Sequence, residues 1–311
     1  MPLALKPHPT PSTRSAVRWL GCPLAASLLT AGALFYWRPW WVLDEAARTQ
    51  LWLAGARSQY VQLGAYRIHF YAGGEGPPVV LLHGLGAPSE SWHGVATALI
   101  RHGRRVYALD LLGFGRSDRP DVDYSIALQT KILEQFLDSQ KLERTDLGGW
   151  SMGGWVALAF SLLHPQRVRR LCVIDSAGLA FLPPFDPAHF VPTNLEQGQQ
   201  LLRLLTPYAA FIPRFMVRAM VRRLGGEAWI IRRTLGTMIA GGDLLDGKLG
   251  AISAPTLIVW GKEDALIPLR CGLEMRREIP QSRLLIFDGC GHMLPIESSA
   301  RLASETLRFL D

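Results

Sequence analysis

Five residues near the middle of the chain, Gly149-Trp150-Ser151-Met152-Gly153, constrain its fold more than any other stretch. The β-rich run RTDLGG leads into them, and an apolar run of helical character, Trp155–Leu163, follows. A serine on so short a path from strand to helix has a strained backbone, and a side chain on either flank would clash, so glycine stands at both. Gly148 and Gly154 relieve the same crowding. The strain lifts the hydroxyl clear of the sheet at the N-terminus of the next helix, where free N–H groups face any oxyanion. Such a turn needs a buried strand beneath it and a helix beyond it.

The rest of the chain supplies that setting. SQYVQL and YRIHFYA are short alternating runs, and PPVVLLHGLG is a continuous apolar run ending in glycines, as a buried central strand does. Further strands are expected in RRVYALDLLGFG, RRLCVIDSAG, PTLIVWGKED and SRLLIFDGCGH, with helices over Ser91–Arg101, Ser125–Gln140, Leu269–Ile279 and Ala300–Leu310. Alternating strands and helices predict an α/β fold with a mostly parallel central sheet and helices on both faces. Residues 58–177 and 251–311 form this core. Residues 178–250 interrupt the alternation with several Leu-, Phe-, Met- and Arg-rich helices, an inserted helical cap at the end of the sheet where catalytic loops gather. A hydrophobic content of 49% excludes a disordered chain, and four cysteines exclude a disulfide scaffold.

The net charge of +7 is unevenly placed. Residues 1–60 carry six basic and two acidic side chains, and residues 178–250 carry eight and five; the remainder is balanced. That pattern fits a membrane surface better than nucleic acid, which is not an expected partner. Trp19 to Trp37 is uncharged, with Tyr36, Trp37, Trp40 and Trp41 crowded at its end. Residues 19–41 are therefore expected to form a membrane anchor, or alternatively a signal segment cleaved near Ala31-Gly32-Ala33, behind a loose basic tail over 1–18. Residues 42–57 read as an interfacial helix. Lys6, Arg14 and Arg18 before the segment nearly balance Arg38, Arg48 and Arg57 after it, a near tie that leans towards a catalytic domain on the non-cytoplasmic side. Within the insertion, Arg214, Arg218 and Arg222 share one helical face, which reads as an ordinary solvated cap helix or, alternatively, as a face that meets anionic headgroups.

A serine nucleophile needs a base, and the order Ser, Asp, His along the chain requires the base to come last. His292, in the loop after the final strand, fits. The acid should follow a strand and precede it: Asp264 fits, with Asp175 as the rival. The oxyanion donors are the backbone N–H groups of Met152, just after the serine, and Leu85, in the glycine-rich loop after the earlier strand. His83 there reads as a loop-holding residue. No metal-binding spacing or dinucleotide fingerprint is present, so no metal or cofactor is expected.

HGLGA, DLLGFGRSD, GWSMGG, LIVWGKED and GCGH together resemble the α/β-hydrolase superfamily, over residues 58–311. With the N-terminal segment, IDSAGL and GCGHM, the chain is most similar to the membrane-bound monoacylglycerol-lipase-like group (α/β-hydrolase domain 6 type) and bacterial lipase and esterase relatives. The resemblance implies a serine esterase of lipid-like carboxylic esters such as monoacylglycerols, with Ser151 as nucleophile, Asp264 as acid, His292 as base, and Leu85 and Met152 at the oxyanion. The alternatives are C–C bond hydrolysis, perhydrolysis or amide hydrolysis on the same fold, or a non-catalytic receptor or scaffold. Met293 stands where C–C bond hydrolases commonly carry tryptophan, which counts against that alternative.

Overall fold

The computed structural model describes residues 29–182 and 185–311. Eight strands form one sheet in the order β1-β2-β4-β3-β5-β6-β7-β8, where β1 is Arg57–Leu63, β2 Tyr66–Gly73, β3 Pro78–Leu82, β4 Arg105–Leu109, β5 Thr145–Trp150, β6 Val168–Ile174, β7 Thr256–Gly261 and β8 Ser282–Phe287. β1 and β2 pair antiparallel, as do β2 and β4; every other pairing is parallel. The chain has the α/β-hydrolase fold.

The central strands are apolar on both faces because both faces are covered. In β3, Val80 and Leu82 join the core beneath α4 (Ile126–Ser139), α5 (Met152–Leu163) and α9 (Leu269–Glu278). Val79 and Leu81 join the opposite core, beneath α3 (His93–Arg101) and α11 (Ser299–Leu310). Alternation by two thus sends neighbouring residues to different layers. Ser125 starts α4 by accepting the Leu128 N–H at 3.1 Å, one residue after a left-handed Tyr124.

Between β6 and β7 lie α6 (Leu195–Leu205), α7 (Arg214–Gly226) and α8 (Ala228–Ile239). α6 and α7 share a small core of Leu201, Leu202, Val217 and Met220. α8 is tied to the main core by Ile230 and Ile231.

The expectation of a single N-terminal membrane anchor, with the catalytic domain beyond it on the non-cytoplasmic side, is corrected. No helix among the described residues is long and apolar enough to cross a membrane. Residues 1–28, which include the tail and the first part of that segment, lie outside the described residues. The rest divides: residues 29–37 are helical (α1), Arg38 leaves the helical region at φ −135° and ψ 52°, and Pro39 opens α2 (Pro39–Leu53). α2 turns its apolar stripe towards its own domain. Leu51 is fully buried in the cluster that contains Val79 and Leu99, and Ala47 is buried further up the same face. A helix was expected over 42–57; α2 starts and ends earlier, and the chain enters β1 at Arg57.

Candidate active site

Ser151 occupies the turn between β5 and α5 with φ 55° and ψ −119°, a region that L side chains rarely occupy. The glycines around it explain how the turn closes. A Cβ on Gly149 would run into the Gly153 backbone, and one on Gly153 into the carbonyl oxygens of Leu82 and His83. One on Gly154 would strike Ser176. β3, β5 and α5 can therefore approach closely only without side chains at these positions. Ser151 N–H donates to Ile174 O at 2.9 Å, fixing the turn to β6.

The structure brings the three sequence-predicted side chains into one hydrogen-bonded line. His292 Nε2 lies 3.0 Å from Ser151 Oγ, and His292 Nδ1 lies 2.8 Å from Asp264 Oδ2. The other Asp264 oxygen accepts the N–H groups of Leu266 at 2.8 Å and Ile267 at 2.9 Å, which fixes the carboxylate's orientation. All three residues are buried. The His292 loop is held from two sides: its carbonyl accepts Trp150 Nε1–H at 2.7 Å, and its own N–H donates to Leu205 O, at the end of α6, at 2.8 Å.

Met152 is the first residue of α5, so its N–H precedes the intrahelical ladder. Leu85 lies in the loop after β3, close enough that a Cβ on Gly84 would be 3.1 Å from Ser151 Cβ. Both positions suit oxyanion donors. His83 stabilises this loop: Nδ1–H donates to Gly84 O at 2.7 Å and Nε2 accepts Leu111 N–H at 2.9 Å. Burial lowers its pKa, so the imidazole is neutral and its tautomer is set.

Asp175, the rival acid, is not in the line but beside it. Its carboxylate, that of Asp264 and the His292 ring offer one atom each within 4.8 Å of one another. Asp175 is fully buried at φ 42°, with Oδ1 accepting Gly261 N–H at 2.7 Å and Oδ2 without a partner. Burial first, and the neighbouring Asp264 charge second, push its pKa well up. These three residues are also the cluster among the described residues with enough donors for a metal ion. Two of its ligand atoms already bond each other, and His292 Nε2 faces Ser151, so a cation would have to displace the line.

A cavity of about 390 Å³ opens onto Ser151 and His292. Its walls are mainly apolar: Leu85 from the loop, Leu201 and Leu205 from α6, Met220 and Leu224 from α7. A further wall, missed in the sequence, comes from α2 through Trp40, Leu43 and Ala47. Their spacing of three and four is the available signal, but it shows only that α2 has an apolar face. Asp44, Glu90 and Arg223 add charge, with Arg223 paired to Asp44 at 2.9 Å. Arg214, Arg218 and Arg222 are exposed on α7 and do not line the cavity.

Residues 79–305 match the profile of the family described as the alpha/beta hydrolase family. Among similar proteins, 2-hydroxymuconate semialdehyde hydrolase of Pseudomonas sp. (strain CF600) is 32% identical over 258 residues, covering 78% of this chain and 90% of the relative. Among solved structures, a membrane phospholipase A described as a bacterial virulence factor superposes with a TM-score of 0.78 at 27% identity, covering 94% of this chain and 98% of that one. A serine hydrolase involved in carbazole degradation superposes with a TM-score of 0.71 at 29% identity, covering 82% and 99%.

Proposed function

Since the chain belongs to the alpha/beta hydrolase family, we propose that it is a serine hydrolase that breaks a bond beside a substrate carbonyl through an acyl-enzyme on Ser151. The hydrogen-bonded line from Asp264 through His292 to Ser151, at the mouth of an apolar cavity, carries this reading. Ser151 Oγ attacks the carbonyl carbon while His292 Nε2 takes its proton. Asp264 holds the imidazole tautomer and stabilises the imidazolium. The backbone N–H groups of Met152 and Leu85 hold the oxyanion. His292 returns the proton to the leaving group; water then repeats the sequence in reverse, releasing the acid and the free serine.

The cavity favours a neutral, apolar carboxylic ester. Among the described lining residues the one arginine, Arg223, is paired with Asp44, and Glu90 adds a further acid, so no unpaired arginine or lysine waits for a substrate carboxylate. The similarity to a phospholipase A supports an ester substrate. The sequence relatives support a second reading more strongly than they support esters: hydrolysis of a carbon–carbon bond, with the same serine attack and a carbon leaving group protonated by His292. 2-Hydroxymuconate semialdehyde hydrolase represents that class, and its substrate is by name an acid anion.

One panel separates them: p-nitrophenyl and glycerol esters of graded acyl length against a 2-hydroxy-6-oxo-dienoate, each with a Ser151→Ala control. Ester turnover that disappears in the control is the expected result. Turnover of the dienoate alone establishes the C–C reading, and equal turnover by the control removes the serine mechanism.

A further inference from the structure

We propose that α2 is the wall that selects substrates by the length of their acyl part, with Leu43 and Ala47 as the residues that set it. This rests on Ser151 being the nucleophile, as proposed above.

Trp40, Leu43, Asp44 and Ala47 follow helical spacing on one face of α2, and all line the cavity that opens onto Ser151. Leu205 of α6 and Leu224 of α7 line the same cavity. An acyl chain carried on Ser151 therefore enters a cavity whose walls α2 and the inserted helices share. The wall is fixed at both ends. Towards the insertion, Trp40 Nε1–H donates to Met216 O at 3.2 Å and Asp44 pairs with Arg223 at 2.9 Å. Towards the core, Arg48 Nε–H donates at 2.8 Å to Glu90, itself buried, and Leu51 is fully buried. A wall held at both ends cannot recede from a long chain at no cost, so its side chains set the length that fits.

α2 precedes residue 79, where the family profile begins, so the family's shared core does not supply this wall. Its residues are also absent from the hydrogen-bonded line. Changing them should alter which chains fit without altering the chemistry.

The test uses the full chain and the rate at which alkyl fluorophosphonates, from ethyl to dodecyl, label Ser151. Labelling reports on cavity and nucleophile whatever the natural leaving group. Ala47→Leu fills the cavity. It is expected to lower the dodecyl rate about tenfold or more relative to ethyl, since one methylene in an apolar pocket is worth roughly 10- to 200-fold. Leu43→Ala, at a position 40% exposed and so tolerant of change, is expected to raise the dodecyl-to-ethyl ratio. Should Ala47→Leu fail to fold, Leu43→Ala carries the test alone. An unchanged ratio in the folded variants overturns the wall and leaves the serine mechanism standing. Failure of every probe to label the parent, or equal labelling of Ser151→Ala, overturns the serine mechanism and the wall with it.

Discussion

Ser58, His69 and Asp110 repeat the side-chain order of the active site, with Ser58 Oγ 2.9 Å from His69 Nε2 and His69 Nδ1 2.7 Å from Asp110 Oδ2. Ser58 lies within β1, without a left-handed turn or a helix N-terminus beside it, so no backbone donors converge on an oxyanion there. Asp110 is instead busy with structure, accepting the N–H groups of Ser89 at 2.6 Å and Arg116 at 2.9 Å. Burial raises its pKa, but the hydrogen bond and electrostatic pull of His69, the electrostatic pull of His83 and the Arg116 N–H together outweigh this and bring it to about 2. A fluorophosphonate is therefore expected to label Ser151 and leave Ser58 untouched, which peptide mass mapping would check. Ser151→Ala and His292→Ala should each lower kcat by on the order of 10³–10⁶, with little further loss when combined. Asp264→Asn should cost on the order of 10⁴, because the histidine tautomer is no longer held. Asp175→Asn should cost far less, and the reverse ranking would exchange the two roles. Asp175 has a separate signature in stability. Its raised pKa means the folded protein keeps a proton that the unfolded chain loses above about pH 4. Stability is therefore full below that pH and falls as pH rises towards the folded-state pKa. Asp175→Asn removes the loss, so its Tm relative to the parent should rise by roughly 2 °C or more between pH 5 and pH 8. A Tm difference that stays flat with pH would show that the carboxyl is already ionised.

The turn at Ser151 and the helix α2 differ in how they are held, and so in how they should fail. Gly153 is pressed against the carbonyls of Leu82 and His83, so Gly153→Ala forces α5 away from β3 at about 1–3 kcal/mol or more. Lower Tm and lower kcat together are the expected outcome. α2 depends on Glu90, whose Oε1 accepts from Arg48 Nε, Arg116 Nη2 and Tyr71 OH while its side chain is 4% exposed. Glu90→Ala removes the shared acceptor. The cost should be about 1–3 kcal/mol, because both arginines remain about one-third exposed and water replaces part of the bond. Faster limited proteolysis between residues 38 and 56, beside an unchanged pattern elsewhere, would show that α2 loosens first. The two elements also differ in legibility. The turn at Ser151 can be read from five residues, since its constraints are local and only glycine satisfies them. The apolar face of α2 can be read too, but a stripe of Trp40, Leu43 and Ala47 does not say whether lipid or protein covers it.

Across the whole molecule, parallel strands such as β3 and β7 are readable as apolar runs followed by a helix, and β5, TDLGGW, from the glycine-flanked turn that ends it. The neighbour relations are not: β4 lies between β2 and β3, and β6 beside β7, although the inserted helices separate the last two in sequence. That adjacency is why Asp175 and Asp264 meet near one histidine, a pairing that neither residue's local context announces. Asp264 and His292 of this cluster are already bonded to each other, and His292 to Ser151, so dialysis against EDTA is expected to leave kcat unchanged. Inhibition reversed by added divalent metal would contradict this. The backbone of His292 has a further consequence. Its carbonyl is tied to Trp150, next to Ser151, while its N–H is tied to Leu205 of the inserted helices. A displacement of α6 would therefore draw on the His292 backbone and weaken the contact of its imidazole with Ser151. Broadening of the His292 ring-proton resonance under mild urea, ahead of global unfolding, would register that coupling; a resonance that stays sharp until the sheet melts would show that His292 holds its place unaided.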